Sequence, residues 1–268
     1  MHTAHATCFR NLLAASAPLL LANVWDAASA RICALAGAPA VATSSAAVCW
    51  SQGYADGGFL PPERLVQAVA TIARGLAVPL SVDVEDGRWE HPQRVADLVE
   101  AVADAGAVGI NIEDGALPPE RLAGRIAALR GRATIADLFI NARTDVFLRC
   151  LVSREDQVEE VLKRASLYAD AGADALFVPG LSDPTAISEI VQHGALPLNL
   201  MWEPGSPSLA KLSELGVCRL SVGPASALRA YSDLLQLTRE FLAEARLTER
   251  GPQLDYDTMN KLLAQAGG

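Results

Sequence analysis

Apolar positions alternate between two periods along this chain. Stretches with apolar residues three and four apart predict amphipathic helices: Leu65, Val66, Val69, Ile72 and Ala73; Val95, Leu98, Val99 and Val102; Val158, Val161, Leu162, Ala165 and Ala169. Several of these open on proline or acidic first turns, as at Pro61-Pro62-Glu63 and Asp183-Pro184. They end in Ala-Gly or a similar pair followed by a short β-rich run, as in the segments starting at Leu35, Ala103, Ala169 and Ser213. Eight strands follow from this punctuation, near Leu19 to Val24, Ala40 to Ser44, Pro79 to Glu85, Val108 to Glu113, Leu138 to Arg143, Ala175 to Pro179, Pro197 to Met201 and Arg219 to Gly223. Eight strand-then-helix units without a long break predict an α/β fold, a (β/α)8 TIM-type barrel. The rival, a doubly wound open sheet, would carry a Gly-rich first loop that this chain lacks. The expected barrel domain spans 1–246. Residues 247–268, interrupted by Gly251-Pro252, form one further helix, an arm suited to packing on a partner subunit.

Composition narrows the classes. A chain of 268 residues, 51% hydrophobic and 20% charged, can bury one large core. With 22 basic against 31 acidic side chains the net charge is −9, and no basic stripe is present, which argues against nucleic acid and anionic membrane as partners. The apolar run Leu12 to Val24 is broken by Ser16, Pro18 and Asn23, so it reads as neither signal peptide nor membrane span. Five cysteines with no C-x-x-C pair point to a reduced, cytoplasmic protein without structural zinc. The three lysines, Lys163, Lys211 and Lys261, fall on outer helices and the tail, which removes Schiff-base chemistry at a strand end.

Parallel barrel strands are normally apolar throughout, yet several here alternate polar with apolar. Ser81-Val-Asp83-Val-Glu85, Asn111-Ile-Glu113 and Asn141-Ala-Arg143 put polar groups on one face, toward the strand ends where barrels hold their active sites. Asp83, Glu85 and Glu113 then converge at one mouth, where three carboxylates need a compensating charge. Oxygen donors without His or Cys favour Mg²⁺ or Mn²⁺; the alternative is that one or two of them pair with Arg143 or cap a helix. Arg143 suits bidentate binding of a substrate carboxylate or phosphonate, or an ion pair with Glu113 or Asp145, and both can hold together. Asn199 and Ser221 occupy similar late-strand places, and a buried amide such as Asn199 needs a partner that a ligand can supply. His91 and His193 read as solvated helix-end residues, and Cys49 and Trp50 as apolar packing near the mouth.

An ordered set of motifs resembles the phosphoenolpyruvate mutase/isocitrate lyase superfamily over about residues 10–240: Asn23-Val-Trp-Asp26-Ala-Ala-Ser29, Thr43-Ser44-Ser45, Gly53-Tyr-Ala-Asp56, Asp83-Val-Glu85-Asp-Gly87, Asn111-Ile-Glu113-Asp114 and Asn141-Ala-Arg143-Thr-Asp145. The resemblance implies a (β/α)8 barrel that binds Mg²⁺ and a small 2-oxo acid or its enolate. It implies Asp83 as the direct metal ligand, with Glu85 and Glu113 holding metal waters and Asp56 close by. It assigns Ser44 and the amides of Ser45 and Ala46 to the 2-oxo acid's carboxylate, and Arg143 to the reacting group. It further implies a homo-oligomer, a tetramer or a dimer exchanging the C-terminal helix. The lyases' Lys-Lys/Arg-Cys-Gly gating motif is absent, replaced by Gly115-Ala-Leu-Pro-Pro-Glu120-Arg121, and Gly87-Arg88-Trp89 stands where Gly-Tyr-Gly is usual. Isocitrate and 2-methylisocitrate cleavage and mutase chemistry are therefore not expected. The expected activity is cleavage of a C–C or C–P bond in an oxaloacetate-like 2-oxo acid through an enolate, by a decarboxylase, hydrolase or lyase. Two alternatives stay open: a 2-oxo acid (for example 2-oxoglutarate) binding protein without turnover, and a transferase like the ketopantoate hydroxymethyltransferases.

Overall fold

The computed structural model describes residues 2–246 and 254–264. Eight parallel strands close into a barrel in sequence order: β1 (Leu19–Val24), β2 (Val41–Thr43), β3 (Leu80–Asp83), β4 (Gly109–Glu113), β5 (Phe139–Arg143), β6 (Ala175–Phe177), β7 (Leu198–Met201) and β8 (Arg219–Ser221). Closure comes from β8 pairing back onto β1, with Arg219 opposite Leu19 and Ser221 opposite Leu21. The open-sheet alternative is thereby excluded. Each strand lies within its expected span, and backbone bonds such as Val178 N–H to Asn199 O and Trp202 N–H to Ser221 O carry the ladder past the strand ends.

The helices are α1 (His2–Leu13), α2 (Ala27–Leu35), α3 (Ser45–Ser51), α4 (Pro62–Ala73), α5 (Pro92–Asp104), α6 (Pro119–Arg130), α7 (Gln157–Ala171), α8 (Pro184–His193), α9 (Leu209–Glu214), α10 (Ala225–Glu244) and α11 (Tyr256–Ala264). The predicted apolar stripes are the buried faces: Leu65, Val69 and Ile72 on α4 and Val95, Leu98, Val99 and Val102 on α5 pack between helices and barrel wall. The start signals hold as well. Asp183 caps α8 through the Ala186 N–H, and Asp26 with Ser29 forms a reciprocal capping box on α2. No described helix is long and apolar enough to cross a membrane, and the five cysteines are free thiols.

α1 was not foreseen from the pattern. Its Phe9 is fully buried at the N-terminal end of the barrel, edge-on to Phe139 with ring centroids 5.4 Å apart, among Leu19, Leu21, Ala40, Ala42 and Ala175. Arg10 fixes the helix by donating to Asp174 Oδ1 and the Asp137 carbonyl, each at 2.9 Å. This apolar plug closes the bottom, so the polar inner positions are left for the opposite end. The predicted arm lies partly outside the described residues; its described part, α11, packs against α2 of the same chain.

Candidate active site at the barrel mouth

The C-terminal ends of β3, β4 and β5 bring Asp83, Glu85 and Glu113 within electrostatic reach of one another, although among the described residues the ligand atoms lying within 4.8 Å of one another are those of Glu85, Asp56 and Cys49, without Asp83 or Glu113. Thr43 Oγ1 accepts from the Asp83 N–H at 2.8 Å, and Asp83 Oδ1 accepts from the Glu85 N–H at 3.0 Å, which ties the acid-bearing strand end to β2 and to itself. The Glu113 N–H donates to the Glu85 carbonyl at 2.9 Å, and Glu113 stands opposite Arg143 in the β4–β5 register. The turn that follows β3 is left-handed at Glu85 (φ 55°), Gly87 (φ 78°) and Arg88 (φ 68°). At Gly87 any Cβ would come within 2.6 Å of a Val95 methyl, so glycine is obligatory there. Glu85 and Arg88 hold the same strained region with full side chains, at about 1–3 kcal/mol each. Those side chains meet: Arg88 Nη2 lies 3.0 Å from Glu85 Oε1, and its Nη1 reaches the Gly58 carbonyl at 3.4 Å.

The ion-pair reading of Arg143 holds with both of its expected partners. Its Nη1 sits 2.7 Å from Glu113 Oε2 and its Nε 2.7 Å from Asp145 Oδ1. Burial works against the guanidinium charge, but Glu113, Asp145 and Asp83 outweigh it and raise the Arg143 pKa. Burial also raises the pKa of Asp83 and of Glu85, against the pull of Arg143 and Arg88 respectively. Glu113 is pushed up to about 8, by burial first and then by the charges of Asp83, Asp145 and Glu85, in spite of Arg143.

Asp56 is exposed on the loop between α3 and α4, and its carboxylate clusters with those of Glu85 and the Cys49 thiol, the ligand atoms lying within 4.8 Å of one another. Cys49 therefore does more than pack: it is buried, 3.9 Å from Glu85 Oε1, with its thiol pushed up to about 11 by burial and by Glu85. Ser44 is buried at the start of α3, one residue beyond Thr43, and its Oγ accepts from the Ala47 N–H at 3.5 Å. The Ser45 and Ala46 amides belong to the first helical turn, whose N–H groups no intrahelical carbonyl reaches.

Asn199 stands apart from this acidic group. It is fully enclosed in the barrel, with neither amide atom partnered, alongside the unpartnered Asn141 Oδ1, Ser81 Oγ, and Arg219 Nε and Nη1. Arg219, also fully buried, crosses from β8 to donate to Asn111 Oδ1 at 3.1 Å, and Asn141 Nδ2 donates to the same oxygen at 2.8 Å. Burial lowers Arg219 to about 10, which leaves it charged at neutral pH. Of this polar floor only Arg219 escaped the sequence reading, although it lies two residues from Ser221, on the same strand face. Arg88 and Arg149 escaped it as well, because both follow strands rather than lie in them.

The donors at the mouth suit a hard divalent cation. Five carboxylates (Asp56, Asp83, Glu85, Glu113, Asp145) interact there with three guanidiniums (Arg88, Arg143, Arg149), and Cys49, the one soft donor, stays protonated. An excess of carboxylate oxygen donors over cations fits Mg²⁺ or Mn²⁺ better than a thiophilic metal. All three lysines lie on α7, α9 and α11, away from the strand ends.

Behind the mouth, the fully buried Asp114 accepts from Arg164 Nη1 (2.8 Å), the Tyr168 hydroxyl and the Asp145 N–H (3.0 Å). This network fixes the start of the segment after β5. We expect Asp114→Ala to lower stability by about 3 kcal/mol, the lower end for a broken buried pair because Glu160 still holds Arg164. A shifted urea midpoint at unchanged slope would report it. Only residues 114–118 link β4 to α6, and with Glu85, Arg88, Glu113 and Arg149 they border a cavity of about 400 Å³.

A closed (β/α)8 barrel with a carboxylate-lined, arginine-braced mouth defines the class of protein. Residues 9–242 match the family model described as phosphoenolpyruvate phosphomutase, and the chain belongs to that family. It is 41% identical to a phosphonomutase candidate from Burkholderia cenocepacia of known crystal structure, which covers 88% of this chain and 99% of that one with a TM-score of 0.83. It is 28% identical to the oxaloacetate decarboxylase of Pseudomonas fluorescens over 88% of this chain and 86% of the relative. A phosphonopyruvate hydrolase solved with oxalate and Mg²⁺ shares the fold, at 20% identity and a TM-score of 0.84, over 97% of this chain and 95% of the other.

Proposed function

We propose that this protein is a divalent-metal-dependent lyase or hydrolase that cleaves a C–C or C–P bond in a small 2-oxo acid of the oxaloacetate type. The observation that carries this reading is the meeting of Asp83, Glu85 and Glu113 with Arg143 at one barrel mouth. Asp83, Glu85 and Glu113 would hold the cation, which when bound polarises the 2-oxo group and takes up negative charge as the bond breaks. Ser44, Ser45 and Ala46 receive the substrate's 1-carboxylate, Ser44 through its hydroxyl and the other two through their amides. Arg143 lies against the reacting group, held by Glu113 and Asp145, and stabilises the enolate as it forms. Glu113 and Asp56 are the carboxylates that can hold or release a proton beside the reacting atoms. Asn199 and its unpaired amide would meet the ligand from the barrel interior. The activities of the relatives, decarboxylation of oxaloacetate and hydrolysis of phosphonopyruvate, support the substrate class.

The short 114–118 loop carries neither lysine nor cysteine, which favours as second reading a 2-oxo acid binder without turnover. Proton NMR with Mg²⁺ and, separately, oxaloacetate, phosphonopyruvate, 2-oxoglutarate and 2-methylisocitrate separates the two. We expect pyruvate from oxaloacetate or phosphonopyruvate, at a rate that falls to the uncatalysed level when a chelator removes the metal. Line broadening without product would favour the binder, and neither broadening nor product would remove the 2-oxo acid reading.

The same reading includes a homo-oligomer. The outer faces of β1 and β8, where a barrel expects its eighth helix, leave Leu20 52% exposed beside a groove of about 590 Å³ lined by Leu209, Leu220 and Trp202. α10, which follows β8, buries only Ala227. A second copy's α10 is the occupant that fits.

A further inference from the structure

We propose that Arg149 forms a subsite for the acid group at the far end of the substrate and so selects doubly charged 2-oxo acids over singly charged ones; this rests on the 2-oxo acid reading above. Arg149 stands in the turn after β5, its N–H donating to the Asp145 carbonyl at 2.9 Å. The fully buried Asp145 carboxylate holds two arginines at once, Arg143 Nε on Oδ1 and Arg149 Nε on Oδ2, each at 2.7 Å. The two guanidiniums are therefore fixed one carboxylate's width apart, the first on the reacting group and the second further out.

The other cations of the mouth are engaged. Arg143 is committed to Glu113, and Arg88 is 8% exposed and bonded to Glu85. Arg149 differs: its side chain is 52% exposed, its Nε alone is bonded among the described residues, and it lines the cavity that Glu85 and Glu113 also line. A guanidinium held at Nε by a buried carboxylate presents its outer edge, pre-oriented, to a planar or tetrahedral oxyanion. The hydrogen bond to Asp145 also keeps it charged. Asp86, which lines the same cavity, offers an incoming acid only repulsion. In oxaloacetate or phosphonopyruvate the terminal acid is itself one end of the breaking bond, so an acid group held at Arg143 presents its remaining oxygens to the neighbouring guanidinium. Carboxylate and phosphonate share the chemistry Arg149 reads.

The test uses the full chain with Mg²⁺ and displacement of oxalate, read by rapid mixing before turnover, by oxaloacetate and by 2-oxobutyrate, which have equal chain lengths and differ in the terminal carboxylate. The native protein should prefer oxaloacetate at least tenfold. Arg149→Gln should erase the preference and leave oxalate affinity within threefold, and Arg149→Lys should keep part of the preference. Preference surviving in Arg149→Gln would overturn the subsite, as would equal weakening of oxalate and oxaloacetate, which would mark Arg149 as acting through Asp145. Native protein that binds no oxalate would overturn the 2-oxo acid reading itself, and the subsite with it.

Discussion

Arg143→Gln is expected to cut turnover roughly 10³-fold, the scale of removing a preorganised charge-stabilising donor from a buried site. The same substitution leaves Glu113 and Asp145 buried without their shared cation, and should destabilise the metal-free protein by about 3–5 kcal/mol. Two roles of one arginine can therefore be told apart. Mg²⁺ with oxalate supplies positive charge to the carboxylates and should restore the melting temperature of the variant. It cannot restore the stabilisation of charge on the breaking bond, so the rate should stay low. A rate within tenfold of native under those conditions would show that Arg143 is only a brace. Asp83→Ala tests the cation site: the melting temperature of the variant should no longer respond to Mg²⁺ and oxalate.

The barrel was legible because two periods alternate without interruption: a stripe such as Val95, Leu98, Val99 and Val102 can only bury one helix face, and the glycines after it stop each helix where a strand begins. Asp83, Glu85, Glu113 and Arg143 were legible for a related reason, since a charge in a doubly buried parallel strand needs a function or a partner, and two-residue spacing puts these four on the inner face. What the pattern cannot carry is which partner each chooses. That Glu113 leans on Arg143 while Glu85 turns to Asp56, Cys49 and Arg88 depends on the left-handed turn at 85–88, which strand periodicity does not encode. Arg149 is placed by the second oxygen of Asp145, a contact through a side chain. α1 was hidden by its neighbour: the Ala6, Phe9 and Leu13 spacing is helical, but the longer apolar run from Leu12 draws attention away from it.

Replacing Leu234 and Leu235 together by glutamate should convert the assembly to monomers by light scattering. α10 is twenty residues long, yet Leu234, Leu235, Phe241 and Leu242 are all more than half exposed, Ala227 is its one buried residue, and Tyr231 meets Trp25. A solitary exposed leucine is ordinary, but a helical face of them opposite an uncovered barrel wall is not. The groove at Leu20 and the face of α10 belong to one chain and cannot meet within it while the helix projects away. Two copies can exchange helices, each completing the other's ring, which is the isologous arrangement a twofold axis produces. Glutamates on that face would have to be buried unpaired, so the variant should lose the partner, and Leu20 would return to water with a lower melting temperature. A dimeric or tetrameric native mass agrees with the exchange. A monomeric native mass overturns it, and so does a variant that keeps the native mass.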